Sequence, residues 1–257
     1  MSFGGDLLQR GSKGAEVAEL QLRLSGFRGT SWDGDFGPGT ELQVRTFQRD
    51  FMDLEKVSGI ADEQTMQALF QFADQHPIDF DSIRCPCRDC SGFGQNRFEG
   101  EYRSGKPEIE AYHRREYPGI HKAILHAFRA ATFYLSRENY PAPILTSGYR
   151  CWIHNEQKGR NSTNHMGKAL DVDFLPQPGE DKRDDCNRCD AARGLLVEKS
   201  NFQVGWNGNN CKSLEPSNIA PTWIHMDVRC YGQRYLADQY FVTTKNELNA
   251  MNYPAAS

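Results

Sequence analysis

SGYRCWIHNEQKGRNSTNHMGKALDVDF, residues 147–174, is the stretch that decides the fold class, and its last six residues carry most of the weight. In ALDVDF, alternation sends Leu170, Val172 and Phe174 to one face of a strand and Asp171 and Asp173 to the other. WIHMDVR, residues 223–229, alternates in the same way, so Trp223, His225 and Asp227 share a face. ILTSGYR, residues 144–150, reads as a third strand. Before them, Ile120, Ala123, Ile124, Ala127, Phe128, Ala131 and Leu135 recur at a helical period, which predicts a helix over 118–137. A long helix beside short alternating strands is an α+β domain with a small, mainly antiparallel sheet. The polar segment 179–193 reads as a loop or short helix, and 194–206 as a short helix or strand followed by a turn.

The polar faces of these strands suggest chemistry. His165 lies six positions before Asp171, and His225 sits mid-strand. If the strands are neighbours, the three side chains meet at one point. Two imidazoles and a carboxylate suit a tetrahedral zinc ion with its fourth corner left to water. Such an ion activates the water and polarises a carbonyl. Asp173 shares the face of Asp171 and stands as an alternative ligand.

The remaining composition narrows the classes. The 257 residues carry a net charge of −4, which is not the basic footprint of a nucleic-acid binder. No apolar run approaches the ~20 residues of a membrane span. MSFGGDLLQRGSKG at the start lacks the apolar stretch of a secretory signal. The expectation is therefore synthesis in the cytoplasm and delivery outward by another route, as a monomer that inserts into no membrane.

Residues 6–72 form a separate unit of three short helices, a small bundle. VAELQLRL places Val17, Leu20, Leu22 and Leu24 on its apolar side. ELQVRTFQRDF places Leu42, Val44, Phe47 and Phe51 roughly together, with Thr40 as its N-cap. TMQALFQF makes the third helix. DGDFGPGTELQVRTFQ is echoed by SGIADEQTMQALF, each with a glycine, a threonine and an amphipathic helix. LQRGSKGAEVAELQLRL, DGDFGPGT and VRTFQRDF together resemble the type 1 peptidoglycan-binding domain found beside cell-wall hydrolases. That resemblance implies bacterial peptidoglycan as partner. Residues 73–107 read as a connector, and 108–257 as the second domain.

The second domain has a resemblance of its own. SGYRC, a histidine followed by GxAxD, and WIH occur in the order of the M15 peptidases, the zinc D-Ala-D-Ala carboxypeptidase and endolysin family, above all its M15A branch. The resemblance implies a zinc peptidase with His165, Asp171 and His225 as ligands. It also implies Arg150 as the group that binds substrate and stabilises the oxyanion, with Ser147 and Tyr149 supporting that strand end. Two departures stand out. Five residues separate His165 from Asp171 where the family usually has six. Thr222 and Trp223 occupy the positions near the last ligand where many members carry a glutamate or histidine. Asp227 is then a candidate to orient a ligand histidine or to act as the base, with Glu215 a weaker candidate. His76, His113, His121, His126 and His154 read as structural.

Eight cysteines remain. Cys85, Cys87 and Cys90 crowd RCPCRDC, Cys186 and Cys189 form CNRC, and Cys151, Cys211 and Cys230 are dispersed. Three or four thiolates drawn from the two clusters would bind a second, structural zinc; disulfides formed in an oxidising space, or free thiols, are the alternatives, and Cys151, beside Arg150, could join either scheme. A wall-binding module beside a zinc peptidase implies hydrolysis of an amide bond in the stem peptide or cross-link of peptidoglycan, as in a phage-type endolysin or a secretion-system effector. The rivals are a D-alanyl-D-alanine carboxypeptidase and a non-catalytic wall-binding protein.

Overall fold

The computed structural model describes residues 7–29, 32–94, 117–160, 164–205, 213–228 and 240–249. Cys211, Cys230 and His113 lie outside them. The chain folds as mixed helix and small, mainly antiparallel sheets, an α+β arrangement.

Three helices open the chain: α1 (Ala15–Arg23), α2 (Pro38–Asp50) and α3 (Glu63–Gln75). Val17, Leu20, Leu22, Leu24, Val44, Phe47, Leu69 and Phe72 are buried between and beneath them. Leu42 departs from the expected stripe and is 49% exposed. Thr40 is not the cap of α2. Gly37 holds that position with Pro38 behind it, because proline's fixed φ suits the first helical turn and its missing N–H has no partner to lose there.

The hydroxyl of Thr40 serves a buried circuit instead. Gln21 Nε2 donates to Thr40 Oγ1 at 2.8 Å and to the carbonyl of Asp35, while Gln21 Oε1 accepts the Gly34 amide at 2.9 Å. The same circuit recurs one helix later. Gln48 Nε2 donates to Thr65 Oγ1 at 3.0 Å and to the carbonyl of Ile60, and Gln48 Oε1 accepts the Gly59 amide at 2.9 Å. The echo in the sequence is thus a repeated device. A buried amide side chain closes each loop by satisfying backbone groups that would otherwise be stranded from water.

After a two-residue strand, β1 (Ile120–His121), comes α4 (Lys122–Arg137). The helix begins four residues later than the periodicity implies, because His121 Nδ1 accepts the Ala123 amide and caps it. Nearly every residue of α4 is buried, since it is covered from two sides. One cover is α1. Phe27 packs edge-on or tilted against Phe47, Phe72, Phe133 and Tyr134. Glu19, buried with Arg23, also meets Lys122 Nζ at 3.3 Å. The other cover is α6 (Lys182–Lys199), one long helix where the sequence suggested a loop or short helix followed by a short helix or strand. Its composition is polar, but Cys189, Ala192, Arg193 and Leu196 form a buried i, i+3, i+4, i+7 stripe. Asp181 and Asp184 close a capping box at its start.

The main sheet has the order β2 (Pro143–Ser147), β3 (Ala169–Phe174), β6 (Ile224–Asp227), β5 (Ser213–Leu214), β4 (Gln203–Val204). Only the β4–β5 pair is parallel. A one-and-a-half-turn helix, α5 (Trp152–Gln157), follows the end of β2. β7 (Phe241–Val242) pairs with β1, and α7 (Lys245–Asn249) follows it. The buried residues of the three opening helices and of the sheet region belong to one continuous apolar cluster. No helix among the described residues is long and apolar enough to cross a membrane.

Candidate metal centre

Strand register builds the site. β3 and β6 are antiparallel neighbours with Asp171 directly opposite His225, and Ser147 of β2 pairs with Asp171 from the other side. Directly opposed residues project to the same face, so Ser147, Asp171 and His225 stand in a row across three strands. His165 arrives from the turn that enters β3. That turn needs Gly167, whose φ is +111° and whose missing Cβ would lie 2.3 Å from the Gly119 carbonyl oxygen. The Arg150 amide donates to the His165 carbonyl at 2.7 Å, and the His121 amide to that of Gly167.

The three side chains expected to converge do so. Ligand atoms of His165, Asp171 and His225 all lie within 4.8 Å of one another. Asp171 Oδ1 is 2.7 Å from His225 Nδ1, and its Oδ2 is 3.3 Å from His165 Nε2. Each imidazole is held from behind. His165 Nδ1 lies 2.9 Å from the Gly148 carbonyl oxygen, and His225 Nε2 lies 3.3 Å from Asp227 Oδ2. These outer partners leave one nitrogen of each ring facing Asp171, which is the arrangement ligating histidines adopt. Burial opposes the charge on Asp171, but hydrogen bonds from both imidazoles outweigh it and hold its carboxyl well below the usual range. Burial likewise opposes a proton on His225; Asp171 and Asp227 outweigh it and raise its pKa to about 9. The pocket therefore favours positive charge, as a cation site must. The donor set of two nitrogens and one oxygen suits zinc.

Arg150 reaches the same place. Its Nη2 lies 3.0 Å from Ser147 Oγ and 3.4 Å from Asp171 Oδ2. Ser147 thereby positions the guanidinium. Tyr149 does not line the site. It is 1% exposed, and its hydroxyl donates to the Tyr117 carbonyl at 2.7 Å, so it packs beneath the strand end rather than meeting substrate. Asp227 is also displaced from the role of base. It is fully buried and lies on the side of the His225 ring away from Asp171, a position that orients the imidazole. Asp173 joins a different group with Asp185 and Cys189, two residues along the strand from the histidines. Glu215 touches the site through its backbone, its amide donating to the His225 carbonyl.

Sequence reasoning passed over one contributor and left the place of another open. Arg193 on α6 is 2% exposed and donates to the carbonyls of Ala220 and Trp223, bracing the segment that enters β6. Cys151 lies with Cys85, Cys87 and Cys90, all four sulfurs within 4.8 Å of one another. Cys186 and Cys189, expected to join that cluster, sit instead on α6, where helix geometry fixes them away from it. The signal for Cys151 was its place beside Arg150, but its partner lies 64 positions upstream at Cys87, a separation no local pattern encodes.

The opening helices carry an open groove of about 480 Å³ lined by Gln64, Gln67, Gln71 and Gln75 with Phe51 and Met52.

Comparison with known proteins places the opening helices. Residues 13–69 match the family described as "Putative peptidoglycan binding domain". The spore cortex-lytic enzyme of Bacillus subtilis is 40% identical over 70 residues, covering 26% of this chain and 23% of that protein. The zinc D-Ala-D-Ala carboxypeptidase of Streptomyces albus G is 35% identical over 79 residues, covering 28% of this chain and 30% of that protein. The chain thus spans about a quarter of the length of these relatives, and the matches fall on the binding region. It carries a peptidoglycan-binding domain of the kind found in cell-wall lytic enzymes.

Proposed function

We propose that the protein is a zinc-dependent peptidoglycan peptidase that hydrolyses an amide bond of the wall's stem peptide or cross-link. The observation that carries the reading is the convergence of His165, Asp171 and His225, each imidazole backed by its own acceptor. These three residues would hold the ion. Bound there, zinc would supply Lewis-acid polarisation of the scissile carbonyl and an activated water. Gly148 and Asp227 fix the two rings. Arg150, steadied by Ser147, offers a guanidinium to the carbonyl oxygen where negative charge develops. The glutamine-lined groove presents amides that suit the hydroxyl and acetamido groups of a wall glycan. Sharing its binding domain with cell-wall lytic enzymes supports the same substrate.

The M15A-like order of motifs favours an endolysin-type activity, with synthesis in the cytoplasm and release to the wall by a separate agent. Mass spectrometry of muropeptides after incubation with purified sacculi tests the proposal. Cleaved cross-links or stems that vanish with a chelator and return with zinc are expected. Loss of terminal D-alanine alone, with cross-links intact, would reassign the protein as a carboxypeptidase. One observation favours a non-catalytic wall binder: Asp171 and Asp227, the carboxylates around His225, are both committed to imidazoles. Unchanged sacculi in the presence of zinc would select that reading.

A further inference from the structure

We propose that Cys85, Cys87, Cys90 and Cys151 bind a structural zinc ion as four thiolates, and that this ion fixes the strand end that presents Arg150. The site is separate from the one described above and shares no ligand with it.

The spacing of the sulfurs is that of a metal cage. Cys87 Sγ lies 3.6 Å from Cys90 Sγ and 3.5 Å from Cys151 Sγ. Four sulfurs about 2.3 Å from a tetrahedral zinc are separated by about 3.8 Å. A disulfide would bring one pair to about 2.05 Å and leave the others unserved; here one sulfur is shared almost evenly between two neighbours.

The backbone around the sulfurs is arranged for thiolates. Each sulfur accepts an amide: Cys85 from Cys151 at 3.3 Å, Cys87 from Asp89 at 3.3 Å, Cys90 from Gly92 at 3.2 Å, and Cys151 from His154 at 3.4 Å. Amide donors spread over every sulfur offset the negative charge that a thiolate cage gathers, and they orient the ligands. Arg88, between Cys87 and Cys90, adopts φ +66°. A non-glycine residue is disfavoured there, and the turn it makes brings both flanking thiols to one centre. All-sulfur tetrahedral sites select zinc or iron. Four protein ligands fill the coordination sphere, which marks a structural ion rather than a catalytic one. Uptake of the ion releases the thiol protons to solvent.

The position of the cage gives it a task. Cys151 follows Arg150 directly and caps α5. The Tyr149 amide donates to the Ile83 carbonyl at 2.7 Å, and the Cys85 amide to that of Gly92 at 2.9 Å. Gly148 is packed so tightly on residue 83 that a Cβ there would lie 2.4 Å from the Ile83 carbonyl oxygen. The ion thus clamps residues 83–92 against 148–151.

The test is metal analysis and zinc-edge X-ray absorption on the full-length double variant H165A/H225A, purified without chelator. This variant isolates the cage from the histidine site, so failure here leaves the proposed peptidase centre untouched. One zinc per chain with an all-sulfur shell at about 2.3 Å is expected. No bound zinc, an iron–sulfur chromophore, a shell of nitrogen and oxygen, or an alkylation-resistant disulfide among these four cysteines would overturn the proposal. Cys90→His in the same background provides the second reading. Retained zinc with one sulfur replaced by nitrogen is expected, and an unchanged all-sulfur shell would overturn the assignment.

Discussion

Two buried polar networks lie in this molecule and behave in opposite ways. Around Gln21 and Gln48 the partners are neutral except for the Asp33 carboxylate, which accepts from Gln21 Nε2 at 2.8 Å, and each donor finds an acceptor. Around Asp171 the groups are titratable, and two imidazoles and a guanidinium converge on one carboxylate. The first network serves mainly to satisfy backbone groups. The second gathers more charge than packing requires, in a pocket that favours a cation. Buried polarity alone is therefore no signal of function. Convergence of titratable groups with their outer partners already in place is the signal.

The comparison breaks most sharply at the histidines. His165→Ala and His225→Ala should each abolish release of soluble wall fragments while the thermal transition of the protein persists; retained clearing in either variant removes the site assignment. Arg150→Ala should come next, with kcat reduced by about 10²–10³-fold and bound zinc unchanged, as for loss of one oxyanion donor. A loss of zinc in that variant would show that Arg150 serves the ion instead. Asp227→Asn should weaken zinc binding by about 10–100-fold in a competition titration, with the fold retained.

On the neutral side the effects move to stability. Gln48→Ala strands the Gly59 amide and the Thr65 hydroxyl and should cost about 1–3 kcal/mol in denaturant unfolding, with specific activity of the folded fraction unaltered. Near neutral pH the smallest effect belongs to the histidines that take no part in the site. His121 and His126 are fully buried, and burial lowers both, His121 to about 3. The unfolded chain binds their protons first, so their contribution to stability should be level above pH 6.5 and fall as pH drops below it. The slope is about 1.4 kcal/mol per pH unit for each histidine. His121→Phe should flatten it; an unchanged slope would show that other groups set acid stability.

The neutral network's region was the more legible from sequence. Its helices are short-range objects, and the stripes of α1 and α3 declare themselves in the spacing of Val17, Leu20, Leu24, Leu69 and Phe72. Of the second region, the alternation in 169–174 and 223–227 revealed strands and named the faces of Asp171 and His225, because period two is also local. What escaped the sequence was selection among equals. Asp171 and Asp173 share a face, and only the register opposite His225 separates them. Helix α6 escaped because its buried stripe includes Arg193, a residue that scores as surface until its carbonyl partners at Ala220 and Trp223 are known. For Cys151 the sequence left the metal and disulfide schemes both open, because its cluster closes across the fold.

The seam between the opening helices and α4 has a consequence for scale. Phe27 and Phe72 interlock with Phe133, Glu19 is sealed against Lys122, and Gly26 lies so close to Ala130 that a methyl group would collide. A joint of this kind does not swing. On the proposed function, anchor and blade are one casting, so an anchored molecule would sample bonds only at a set offset, and moving to the next one would require letting go.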